Sequence, residues 1–145
     1  MKLSTRSRYG TRLILDMAAH DSKSPIQLGE IARRQNISLK YLEQIIRPLK
    51  RANYIKSFRG SKGGHLLNRK PEEITVGEVV ALLEGSSHLT TCAKNPRSCS
   101  RSERCLTRFL WVEASQAFFD RLNQITFADL LAGGKDAQAE ICDPA

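Results

Sequence analysis

LGEIARRQNISLKYLEQIIRPLKR, residues 28–51, reads as two short helices joined by a tight turn. Leu28, Ile31 and Ala32 fall at i, i+3 and i+4, one face of a helix over residues 28–35. Asn36 tolerates the left-handed conformation that turns the chain, and Ser38 suits the N-cap of the second helix. Leu39, Leu42, Ile45, Ile46 and Leu49 make the expected buried stripe of that helix. Lys40, Tyr41, Gln44, Arg47, Lys50 and Arg51 lie mostly off it. Ala32 is small enough to let the helices approach, and Ile37 plugs the turn. The pattern is a helix-turn-helix. Pro48 predicts a kink, because its ring meets the carbonyl of Gln44.

The next residues supply a wing. Residues 54–58 are β-prone, residues 59–64 (RGSKGG) form a basic glycine turn, and residues 65–67 start a return strand. Upstream, Tyr9, Leu13 and Met17 give residues 4–20 a helical apolar face. Downstream, Thr75 caps a helix that buries Val76, Val79, Val80, Leu82 and Leu83 and stops at Gly85. Residues 86–104 have no hydrophobic period, and a loop of that length is usually functional. Residues 103–125 predict the longest helix, with Leu106, Phe109, Leu110, Trp111, Phe118, Phe119 and Leu122 spread over more than one face. One small core cannot cover them all, so a partner subunit is expected. The fold class is mainly α: a winged helix-turn-helix DNA-binding domain (1–85), a cysteine sensor loop (86–104), a dimerisation helix with a short terminal helix (105–132) and a flexible tail (133–145).

The net charge of +8 is unevenly placed. Residues 1–70 hold 16 Lys/Arg against 4 Asp/Glu, whereas residues 71–145 hold 7 against 11. A basic half joined to an acidic half predicts that the first meets a polyanion. Charge alone would suit a membrane surface equally well; the helix-turn-helix and basic wing decide for double-stranded DNA. No stretch approaches the roughly 18 apolar residues of a membrane span, and no apolar signal core follows the basic N-terminus. The expected location is the cytoplasm, with no membrane partner. The second helix of such a pair lies in the major groove. Ser38, Lys40, Tyr41 and Gln44 are therefore candidate DNA contacts. Gln can pair two atoms of adenine, and Lys can reach guanine or phosphate. Arg59 and Lys62 are the wing's candidates for the minor groove or phosphates, with Gly60, Gly63 and Gly64 letting its backbone pass close to DNA.

The cysteines are Cys92, Cys99, Cys105 and Cys142. The first three, spaced C-x6-C-x5-C, point in a cytoplasmic chain to metal or redox chemistry rather than a disulfide frame. Zinc sites favour close pairs such as C-x2-C, and no such pair is present. Three thiolates in a loop suit an iron–sulfur cluster, 2Fe–2S or 4Fe–4S, which accepts a non-cysteine ligand. Lys94, Arg97, Arg101 and Arg104 favour the thiolate forms. Three incidental cysteines, or a cluster-free repressor regulated by thiol oxidation or a partner enzyme, are the alternatives. Catalysis has little support: His20, His65 and His88 lie in no motif that links them to a cysteine as base, so no catalytic residue is assigned.

The chain resembles the winged-helix repressor family of IscR, NsrR and CymR, the Rrf-two family. The resemblance rests on Ser7-Arg8-Tyr9-Gly10, Ser38-Leu39-Lys40-Tyr41-Leu42-Glu43-Gln44, Arg59-Gly60-Ser61-Lys62-Gly63-Gly64, Ile74-Thr75-Val76-Gly77-Glu78, the three-cysteine loop and Ile125-Thr126-Phe127-Ala128-Asp129-Leu130-Leu131. It implies a homodimer through the long helix, a palindromic operator and cluster ligation by Cys92, Cys99 and Cys105. The chain departs from the family's fourth ligands. Arg108 stands where some members have His, and Arg8 matches the position where others have Asp. His65 replaces the usual wing Tyr. The stimulus implied is iron–sulfur supply, oxygen, nitric oxide or redox poise.

Overall fold

The computed structural model describes residues 2–20 and 24–137; Cys142 and the expected tail beyond residue 137 lie outside them. Ser4 caps α1 (Thr5–Ala19) by accepting from the Ser7 N–H. After it come α2 (Leu28–Gln35) and α3 (Leu39–Arg51), with Asn36 between them in the left-handed region at φ 51°. Ser38 caps α3 by accepting from the Tyr41 N–H at 3.2 Å. The helix runs on through Pro48. Leu42, Ile45, Ile46 and Leu49 are buried as expected, but Leu39 is 44% exposed. Leu39 opens the helix one turn before Leu42 and lies outside the core cluster.

The wing is β1 (Ile55–Phe58) paired antiparallel with β2 (Gly64–Leu67), Ile55 facing Leu67 and Phe58 facing Gly64. Gly60 at its tip takes φ 106°, which a side chain would strain. Ile26 adds a third rung: its N–H donates to the His65 carbonyl at 2.9 Å and its carbonyl accepts from His65 at 2.8 Å. Gly64 is needed inside the protein, since a Cβ there would stand 2.6 Å from the Ile26 oxygen. Gly64→Ala is expected to cost about 1–3 kcal/mol through overpacking. Thermal unfolding checks this; an unchanged melting temperature would refute it. At the base of the wing, Arg69 donates to Glu78 at 2.9 Å and lies over the Tyr54 ring at 5.2 Å, joining the sheet to the next helix.

Thr75 caps α4 (Val76–Glu84), which ends at Gly85 with φ 72°. The expected loop contains two short helical pieces: α5 (Thr91–Lys94), capped by Thr90, and a 3-10 turn over Pro96–Ser98, capped by Asn95. Segments this short show no apolar period. The long helix α6 (Leu106–Asn123) starts one residue after Cys105, so Cys105 is its N-cap rather than part of its first turn. Beyond it, Thr126 and Asp129 cap each other's backbone N–H groups at 3.0 and 2.8 Å. They open α7 (Phe127–Ala137), which passes the expected stop at residue 132. An interior glycine costs a helix only about 1 kcal/mol, so Gly133 does not end it. Val76 N–H bonds the Ile125 carbonyl at 2.8 Å, and Phe127 N–H bonds the Ile74 carbonyl at 3.0 Å. This return carries the Phe127 ring, fully buried, into one core with Leu13, Ile14, Ile31, Leu42, Ile45 and Ile74.

Candidate nucleic-acid interface and cysteine loop

Five of the six expected DNA contacts are open on α3, its cap and the wing. Ser38, Lys40 and Gln44 are exposed on α3, together with Glu43, Arg47 and Arg51. Arg59 and Lys62 are exposed at the wing tip, and neither forms an ion pair among the described residues. Ser38 is open but spends its hydroxyl oxygen on the cap. Tyr41 is half-buried. Its ring meets Tyr9 edge-on at 5.9 Å, and Arg12 lies over the other Tyr at 5.4 Å. Arg12 also donates to the Gln35 carbonyl at 2.6 Å, satisfying an orphan acceptor at the end of α2. Arg12, Tyr9 and Tyr41 thus link the first helix to the start of α3, a long-range chain that no local pattern announces.

A second tie fixes α2. The buried Asp16 carboxylate accepts from Arg34 Nη2 at 2.6 Å and Nε at 3.1 and 3.2 Å, and from Gln35 Nε2 at 2.7 Å. The hydrogen bond to Asp16, opposed by burial, raises the pKa of Arg34 and keeps it charged. In the wing, burial and then the nearby Lys50 charge lower the pKa of His65, whose Nδ1 lies 2.9 Å from the Ser57 hydroxyl. His65 is therefore neutral at neutral pH, and Arg59 and Lys62 carry the tip's positive charge. Lys56 lies over the exposed Phe58 ring at 5.8 Å.

Cys92, Cys99 and Cys105 are all free thiols. Cys92 is half-buried with its sulfur 3.4 Å from the Thr90 hydroxyl; Cys99 is exposed. Cys105 has its sulfur 3.2 Å from the Thr107 hydroxyl. That hydrogen bond, then the Arg108 N–H at the start of α6, lowers the thiol's pKa. Among the described residues, no three His, Cys, Asp or Glu side chains converge to hold a metal. The donor chemistry nevertheless fits an iron–sulfur cluster: three free thiols in one short segment, one of them held toward thiolate. Arg108 Nε donates to the Cys92 carbonyl at 3.0 Å. Buried Ser115 accepts from Leu89 N–H at 2.9 Å and donates to the Trp111 carbonyl at 2.6 Å. The loop is thereby tied to α6 at two points. Arg8 is exposed on α1.

The first turns of α6 carry an uncovered apolar face: Leu106 is 84% exposed, Phe109 54%, Leu110 53% and Trp111 41%. Among the described residues, no helix is long and apolar enough to cross a membrane.

Comparison with known proteins places these features in one family. The family model described as Rrf2, iron-dependent transcriptional regulator, matches residues 3–133. Protein rrf2 of Nitratidesulfovibrio vulgaris is 46% identical over 143 residues, 99% of this chain and 95% of that protein. The solved structure of T. potens IscR superposes with a TM-score of 0.74 at 34% identity, over 99% of this chain and 94% of that one. CymR, the global cysteine regulator of B. subtilis, gives 0.73 at 32% identity over 91% and 97%. With a winged helix built on the same pattern and the match running through the cysteine loop to α7, the chain belongs to the Rrf2 family of transcriptional regulators.

Proposed function

We propose that this regulator is a homodimer whose α3 helices and wings bind a palindromic operator, and that Cys92, Cys99 and Cys105 hold an iron–sulfur cluster that reports redox, nitric-oxide or iron–sulfur status. The observation that carries the reading is the loop of three free thiols fastened by Arg108 and Ser115 to α6, the helix whose apolar face is open. Two copies of α6 would cover Leu106, Phe109 and Leu110. When bound, an iron–sulfur cluster supplies a redox-active, thiolate-held centre whose potential answers to its surroundings. The chain's own residues do the rest. Arg108 and Ser115 transmit the position of the loop to α6, and α6 packs on α4 and returns through Phe127 to the winged core. Such coupling between sites is typically worth about 1–3 kcal/mol.

The test is anaerobic reconstitution with iron and sulfide, followed by metal analysis and sedimentation. Wild type is expected to take up iron, turn brown and sediment as a dimer. Each of Cys92→Ala, Cys99→Ala and Cys105→Ala should lose the visible absorbance and remain a folded dimer, whereas Cys142→Ala should resemble wild type. Wild type that takes up no iron refutes the cluster. The exposed Cys99 and the acidified Cys105 thiol would then favour a switch by thiol oxidation.

A further inference from the structure

Leu39 is the first residue of α3, and its side chain is 44% exposed. The other branched aliphatic residues of that helix are at most 4% exposed. Before residue 85, only Leu3 and Phe58 among the described large apolar residues are comparably open. A single exposed leucine is ordinary on a protein surface; its position is what distinguishes this one. In a helix-turn-helix the N-terminal residues of the second helix contact base edges. At that end Ser38 is engaged in the cap, and Lys40, Glu43 and Gln44 present polar groups. Leu39 is the one aliphatic side chain open there, and the major groove displays one apolar group of its own, the C5-methyl of thymine.

We propose that Leu39 is a specificity-determining residue that packs on a thymine methyl in the major groove. The proposal rests on the reading of α3 as the DNA-facing helix. The contact is apolar, so it selects thymine over bases lacking that methyl without adding to salt-dependent affinity. Leu39 is not part of the buried core, and alanine preserves helix propensity, so the fold stays intact while the reach to the methyl is lost.

The anaerobically purified full chain is used to select duplexes from a randomised DNA pool, and the enriched sequence is resynthesised with each thymine replaced in turn by deoxyuridine. At one thymine per half-site, wild type is expected to bind the uracil duplex about 3–5-fold more weakly, the value of one buried methyl. Leu39→Ala should bind the two duplexes equally there, with an unchanged melting temperature and salt dependence. If wild type shows no such preference at any position, or Leu39→Ala keeps it, the assignment is overturned while the DNA reading stands. If wild type enriches no sequence at all, the reading of α3 falls and the proposal falls with it.

Discussion

Raising the salt from 50 to 200 mM is expected to weaken DNA binding by about 10³–10⁵-fold, the range for a protein making roughly 6–10 phosphate contacts. The count follows from the basic face. Each winged domain opens Lys40, Arg47 and Arg51 on α3 and Arg59 and Lys62 at the wing tip. The proposed dimer doubles that set. Each phosphate neutralised releases condensed counterions, so the logarithm of affinity falls linearly with that of salt. His65 adds nothing to the slope near neutral pH, because burial and Lys50 hold it neutral. Lys62→Ala removes one contact from each protomer of the proposed dimer, so it should lower the slope by about 2 and weaken all duplexes alike, while Gln44→Ala should relax base preference. Titrating a labelled duplex at several salt concentrations measures both. A slope near zero would exclude this face as the polyanion site, and equal effects of the two substitutions on specific and random DNA would refute the division of roles.

What was legible in the sequence is what repeats locally. The i, i+3, i+4 spacing gives α2, and Ser38 and Thr75 mark the helix starts where they occur. Periodicity fails where an element meets no core. Leu39 continues the stripe of α3 in the sequence but projects beyond the core in space. It fails again in α5 and the 3-10 turn, which are too short to show a period. The contacts that shape the candidate sites are long-range: Tyr9 to Tyr41, Arg12 to Gln35, Leu89 to Ser115 and Arg108 to Cys92. None leaves a local signature. One long-range tie did leave a sign. Asp16 interrupts the apolar run of α1 between Ile14 and Met17, and a carboxylate on a buried face requires a partner.

That partner gives the largest expected change in stability. Arg34→Met keeps the aliphatic stem and removes the guanidinium, leaving the Asp16 carboxylate, whose side chain is 2% exposed, without its cation. Breaking a buried pair from one side costs about 3–5 kcal/mol, because the remaining charge stays desolvated. Gln35 Nε2 still donates at 2.7 Å, and His20 Nδ1 stands 3.6 Å away, so the lower end applies. For a chain of this size that is a fall in melting temperature of about 6–12 °C. The double variant Asp16→Asn with Arg34→Met removes the stranded charge and should recover much of the loss. A single variant that melts within a degree or two of wild type would show that solvent or Gln35 already satisfies the carboxylate. The consequence reaches DNA. Asp16 and Arg34 fasten α2 to α1, and Arg12 fastens the end of α2 to the Tyr9–Tyr41 contact at the start of α3. Loosening the first tie leaves α3 less firmly set, so Arg34→Met should weaken operator binding below its melting transition, although Arg34 itself is committed to Asp16.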